Sequence, residues 1–353
     1  MIKPPRRLPV LLSRSIAALV LAGVSTLAAA QERVLNLYSA RHYQTDEALY
    51  ANFTKKTGVR INRIEAGDEA LLERLRNEGR NSPADVILLV DAARLWKAQI
   101  EGLFQPIRSQ VLESRIPAYL RAPMGDKGSE WFSFSTRARI IVYNKATIRP
   151  EQVQTYEDLA KPALKGQVCT RSGTHPYMLS LIGAVSEHLG EAAAEQWARG
   201  VVGNFARSPR GGDTDQIKAV ASGECGVALT NTYYLVRMMR SAKPEDREIV
   251  SRIGVVTPNQ STWGTHVNVS GGAVARNAPH PDVARQFLEY LASDDAQIYL
   301  ADGNNEWPVV PTVRVRNEAL DALGKFRTDT LPIGSIGRSQ ITAAKIIDRA
   351  GWK

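Results

Sequence analysis

Short runs rich in Val, Ile and Leu alternate with amphipathic stretches along most of the chain, and this alternation restricts the fold more than any other feature. "VLNLYS" (34–39) precedes "TDEALYANFTKKTG", where Thr45 can cap a helix and Gly58 can stop it. "VRINRIE" precedes "DEALLERLRNEG", and "ADVILLVD" precedes "AARLWKAQIEG". A second set starts after residue 140, with "GQVCTR" before "PYMLSLIGAVSEHLG" and "GVALTN" before "YYLVRMMRSAK". Such β-rich runs separated by helices predict parallel strands covered by helices, an α/β protein. Two longer β-rich stretches, "RARIIVYNK" (137–145) and "GTHVNVSGGAVAR" (264–276), bracket the second set. The economical topology takes the chain out of one lobe through the first stretch and back through the second. Two crossing strands then form a hinge, with a central cleft facing it. The expected boundaries are residues 31–138 with 270–353 for the first lobe, and 139–269 for the second.

The first thirty residues follow another pattern. "MIKPPRRLPVLLSRS" is basic without an acid, and "IAALVLAGVSTLAAA" is uncharged and ends in small residues. This predicts a cleaved signal peptide over residues 1–30, with an A-x-A site at Ala28 and Ala30 and export to the periplasm. The apolar run is short for a membrane span, which needs about 20 residues. The Arg6–Arg7 pair leaves the choice between the general and the twin-arginine export route open. Lys3, Arg6, Arg7 and Arg14 fall in this segment, leaving about +5 of the formal +9. That residue of charge is spread out and lacks the basic stripe of a nucleic-acid binder. Cys169 and Cys225 are expected in strands of the same half; a disulfide and two buried thiols are both open readings.

Tyrosine recurs at one topological position. In open α/β sheets, ligands bind where strands run into helix N-termini. His42 and Tyr43 lie between a strand and the helix after Thr45. Tyr177 lies just inside a helix that Pro176 can start, and Tyr233 and Tyr234 open another, with Asn231 or Thr232 as its cap. Adjacent helical side chains do not face each other, so a buried stripe needs only one of the last pair. A free phenol stays protonated at neutral pH, but a hard trivalent cation deprotonates phenols and prefers oxygen donors. Four phenolates around Fe3+ leave a net charge of −1, which arginines can offset: Arg41 beside His42, Arg137 entering the hinge, and Arg237 three residues after Tyr234. His42 reads equally as a fifth ligand and as a hydrogen-bond partner. His175 is expected exposed in a loop, His188 and His280 at the surface, and His266 in a hinge strand. The acids of "DTDQIKAVASGE" read as cap and solvent contacts. No G-x-S-x-G, H-E-x-x-H or Walker A motif occurs, so an enzyme is not expected.

"LYSARHYQTDEALYANFTKKTG", "NSPADVILLVDAARLW", "GLFQPI", "STRARIIVYNK", "SGECGVALTNTYYLVR" and "GTHVNVSGGAV" together resemble the periplasmic ferric-ion-binding proteins of ABC importers, in their cyanobacterial-type branch. The resemblance spans roughly residues 32–313. It implies the two-lobed type II periplasmic binding protein fold. It also implies Fe3+ held by Tyr43, Tyr177, Tyr233 and Tyr234, with His42 coordinating in some members. A synergistic anion such as carbonate completes the shell in part of the family. The implied partners are an inner-membrane permease and its ATPase, served by a monomer. Trp307 stands where the pattern suggests tyrosine, and "RAPMGDKGSEW" is a longer loop. The alternative on the same fold is a receptor for an organic solute such as thiamine or a polyamine, whose site calls for carboxylates and stacking rings.

Overall fold

In the computed structural model, which describes residues 1–2, 33–41 and 45–353, the alternation becomes a mixed sheet with helices on both faces. Residues 3–30 of the expected signal peptide and the His42–Tyr43 pair lie outside the described residues. β1 (Val34–Ser39), β2 (Arg60–Glu65) and β3 (Val86–Leu89) run parallel in the order β2-β1-β3. They are linked by α1 (Asp46–Thr57) and α2 (Asp68–Glu78), and α3 (Ala92–Ile100) follows. Gly58 ends α1 at φ 71°, its N–H bonded to Thr54 O, as the sequence predicts. Thr45 makes no side-chain cap; its hydroxyl bonds Asn304 instead. β4 (Phe104–Gln105) and α4 (Gln110–Arg115) lead into β5 (Phe132–Asn144).

The second set consists of β6 (Val168–Cys169), α5 (Pro176–Leu189), α6 (Glu191–Gly203), α7 (Asp213–Ser222), β7 (Val227–Asn231), α8 (Thr232–Met239), α9 (Pro244–Arg252) and β8 (Ile253–Val256). The chain returns along β9 (Val267–Ala275) into α10 (Pro281–Leu291), α11 (Asp294–Asn304) and β10 (Trp307–Pro308). α12 (Glu318–Asp321), α13 (Ile333–Arg338) and α14 (Gln340–Ala350) complete it.

β5 is the crossing strand. Its first half pairs antiparallel with β9, and its second half pairs antiparallel with β7 and β8. The strands are therefore parallel within each set (β6 with β7, β1 with β2 and β3) but antiparallel at the hinge, because the two crossings run in opposite directions. β9 is buried along its whole length. Two of its residues are Gly271 and Gly272 because the neighbours come so close. A Cβ on Gly271 would stand 2.7 Å from Phe132 O, and one on Gly272 2.5 Å from a Leu88 methyl.

Three apolar clusters follow from this layout. The first gathers Leu35, Leu37, Phe53, Leu88, Phe287 and Leu300. In the second lobe the alternation of β5 splits the core in two. Ile141 packs with Leu181 and Trp197 on one face, and Ile140 and Val142 pack with Val220 and Leu235 on the other. The tail departs from the expected boundary, which assigns residues 270–353 to the first lobe. α13 does place Ile333 and Ile336 in the first cluster, but α14 packs Ile346 and Ile347 into the second lobe beside α5 and α6.

Cys169 and Cys225 form a disulfide with Cα atoms 5.9 Å apart, tying β6 to the residues just before β7. It closes a separation of 56 residues and both cysteines are buried. Replacing both by serine is expected to cost about 2–4 kcal/mol in urea denaturation, through the larger entropy of the unlinked unfolded chain. An unchanged denaturation midpoint would contradict it.

Candidate metal centre

The second-lobe tyrosines converge. After β6 the chain turns through residues 170–175 into α5, whose N-cap is His175; the Tyr177 N–H bonds its Nδ1 at 3.2 Å. Proline at the first helical position fixes where the helix starts. His175 is half-buried rather than loop-exposed, and its pKa is lowered to about 3 by burial, then by Arg171. The ring therefore stays neutral and accepts the capping bond. β7 runs directly into α8, which carries Tyr233 and Tyr234 in its first turn.

The hydroxyls of Tyr177 and Tyr233 stand 3.1 Å apart, both residues at most 9% exposed. The rings of Tyr233 and Tyr234 meet with centroids 4.2 Å apart, tilted by 31°. This corrects the simple reading that neighbouring helical residues stay apart: tyrosine rings extend beyond the Cβ spacing and lean together. Neither Asn231 nor Thr232 caps α8 with its side chain. Asn231 Oδ1 accepts from Arg139, and Thr232 Oγ1 accepts from Ala138 N.

Three guanidinium groups cover these rings. Arg137 lies 5.5 Å and Arg171 5.1 Å from the Tyr177 centroid, and Arg237 lies 5.2 Å from that of Tyr234. Arg137 donates to Ser270 Oγ at 3.1 Å and to Val90 O, which fixes it to the hinge and the end of β3. Burial pushes the Tyr177 phenol well above its usual range, and Arg137 pulls the other way. Arg41 is buried in the first lobe, paired with Asp46 at 2.8 Å and 3.8 Å from Glu306.

Buried acids tie the elements around the tyrosines and the hinge together. Asp213 is fully buried, not a solvent contact. It accepts from Arg139 at 2.5 Å, from Arg171 at 3.1 Å and from Asn231 N at 2.7 Å. One carboxylate thus ties β5, the loop before α5 and the end of β7 together. Its neighbour Asp215 does cap, through Gly212 N at 2.8 Å. Asp91, at the N-cap of α3, accepts from Ala93 N, Ser180 of α5 and Asn268 of β9, joining the lobes beside the hinge. Burial raises its pKa to about 6. Glu306 is fully buried; one oxygen takes the Ser135 hydroxyl at 2.6 Å, and the other has no partner among the described residues.

Tyrosines and histidines elsewhere bond or pack within the fold. Tyr38 bonds Glu78 and Tyr290 bonds Leu49 O. Trp307 packs edge-on against Phe326. His188 stacks on Trp263 and meets Asp329 at 2.8 Å, and His280 lies beside Asp85. His266 is buried just before β9. A cavity of about 830 Å³, lined in part by Thr136, Trp307 and Phe326, is not lined by Tyr177, Tyr233 or Tyr234; the Tyr177 and Tyr233 hydroxyls stand against each other instead. Among the described residues, no three His, Cys, Asp or Glu side chains gather as a metal site. The donors brought together are phenols.

Residues 48–328 match the family model described as bacterial extracellular solute-binding protein. The chain belongs to this family. It is 47% identical to iron uptake protein A1 of Synechocystis over 92% of this chain and 88% of that protein. A Trichodesmium protein solved in complex with iron and citrate ligands superposes with a TM-score of 0.86 at 50% identity, covering 91% of this chain and all of that one. The major ferric iron-binding protein of Neisseria meningitidis is 26% identical over 96% of this chain and 99% of its own length. The fold is thus the two-lobed type II periplasmic binding protein fold that the resemblance implies.

Proposed function

We propose that this protein captures Fe3+ outside the cytoplasm in the cleft between its lobes and delivers it to an inner-membrane ABC permease and its ATPase. The observation that carries the proposal is the 3.1 Å approach of the Tyr177 and Tyr233 hydroxyls beneath Arg137 and Arg171. Tyr177, Tyr233 and Tyr234 supply phenolates from the second lobe, and Tyr43 closes the shell from the first, with His42 beside it. The arginines offset the charge that ionised phenols bring into a buried site. Relatives named for iron uptake and ferric iron binding support the same reading. A small oxygen anion such as carbonate or citrate fits beside the same guanidinium groups. A thiamine or polyamine cation would be repelled by them, which disfavours that alternative.

The test is titration of the purified protein with ferric citrate, watched for a visible phenolate-to-iron band, with elemental analysis of the product. Absence of both band and bound iron would refute the proposal. The pH dependence has a definite sign. Burial raises the Tyr177 phenol, so it carries its proton without metal and loses it on binding. Acid therefore competes with iron. Ferric affinity is expected to fall by about a factor of ten per pH unit for each phenol that ionises on binding. A flat affinity between mildly acidic and neutral pH would contradict it.

A further inference from the structure

Residues 329–353 lie beyond the family match, which ends at residue 328, and their last helix packs into the second lobe. The chain end is anchored there. Trp352 is 1% exposed, between Trp197 with centroids 5.8 Å apart and Phe205 at 5.4 Å. Arg349, three residues earlier, meets Glu191 at 3.0 Å and Glu195 at 3.2 Å on α6. The indole of Trp352 also reaches the loop that leads to Tyr177. Its N–H donates to Thr170 Oγ1 at 3.1 Å. Three residues on, Gly173 lies so close that an added Cβ would stand 2.5 Å from Trp352 O and 2.9 Å from an indole carbon. The connection is short: from Gly173 the chain passes through the cap His175 to Tyr177.

We infer that Trp352 is a positioning residue for Tyr177: the C-terminal indole holds the 170–175 loop in the one course that brings this phenol to Tyr233. The physical basis is rigidity. A loop with polar residues and a glycine has many courses in water. Here a buried ring blocks one side of Gly173, and a hydrogen bond fixes Thr170. Without the ring, the helix start and its tyrosine gain freedom, and a metal shell requires its donors held closely in place.

The inference rests on the ferric reading, and the experiment separates the two. Ferric titrations are run on the full exported protein, comparing wild type with Trp352→Ala, Trp352→Phe, Gly173→Ala and Leu159→Ala. Leu159 is a buried member of the same cluster and serves as a stability control. Trp352→Ala is expected to weaken ferric affinity roughly tenfold to a hundredfold and to shift the phenolate band. Trp352→Phe, which keeps a ring in place, should restore most of both. Gly173→Ala presses on Trp352 from the other side and should reproduce the loss, which keeps the test decisive if Trp352→Ala fails to fold. Leu159→Ala should lower thermal stability while leaving band and affinity unchanged. A band in wild type that neither Trp352→Ala nor Gly173→Ala alters overturns the inference alone. So does an equal loss of iron in Leu159→Ala. No band in wild type overturns the ferric reading itself.

Discussion

Replacing Tyr177 and Tyr233 together with phenylalanine will abolish most ferric binding while leaving the fold nearly as stable as before. The two hydroxyls bond each other at 3.1 Å, so removing both leaves neither as an orphan in the buried site. Removing both partners of a hydrogen bond is close to neutral, whereas removing one strands the other at about 1–3 kcal/mol. The rings and the arginines above them stay, so the packing is kept. Two of the proposed donors to the metal vanish, and the loss of affinity should exceed the roughly hundredfold that outer-shell changes produce. Competition with citrate, read from the phenolate band, measures the first effect, and urea denaturation the second. If the double variant kept wild-type affinity, the pair would be only a packed, hydrogen-bonded contact.

The part of this site that was legible in the sequence is the part set by local rules. A strand running into a helix start is visible in "GVALTNTYYLV", and so is the proline that begins α5. The class of fold followed from the same alternation, and β1 spans the six residues read from the pattern. What was hidden depends on distant contacts. Asp213 looks like any acid near a helix start. Its burial is settled by Arg139, 74 positions earlier, and by Arg171, 42 positions earlier, neither of which periodicity can pair with it. The tail was assigned whole to the first lobe for a related reason. α14 is amphipathic but carries no signal naming the lobe against which its apolar face packs. His175 reads as a loop residue, and only the helix behind it turns its ring into a cap. The His42–Tyr43 contribution rests on sequence and resemblance, since those residues lie outside the described structure.

Asp213→Ala should destabilise the protein by about 3–5 kcal/mol. The reason is the company it keeps. Arg139 is 1% exposed, Arg171 largely covered, and both point at this one carboxylate. Removing it leaves two cations facing each other with little water, and also frees Asn231 N at the end of β7. Breaking a buried pair from one side is costly because the remaining charge stays desolvated. Asp213→Asn keeps the shape and one acceptor, so it should be less destabilising in urea or thermal denaturation. The ferric site should suffer as well, because the same carboxylate fixes the segment entering α5 and the one entering α8. Iron affinity is expected to fall in Asp213→Asn even where the protein remains folded. A Asp213→Ala variant within about 1 kcal/mol of wild type, a surface-pair magnitude, would show that Arg139 and Arg171 find other acceptors. The carboxylate would then be incidental to how the phenols are held.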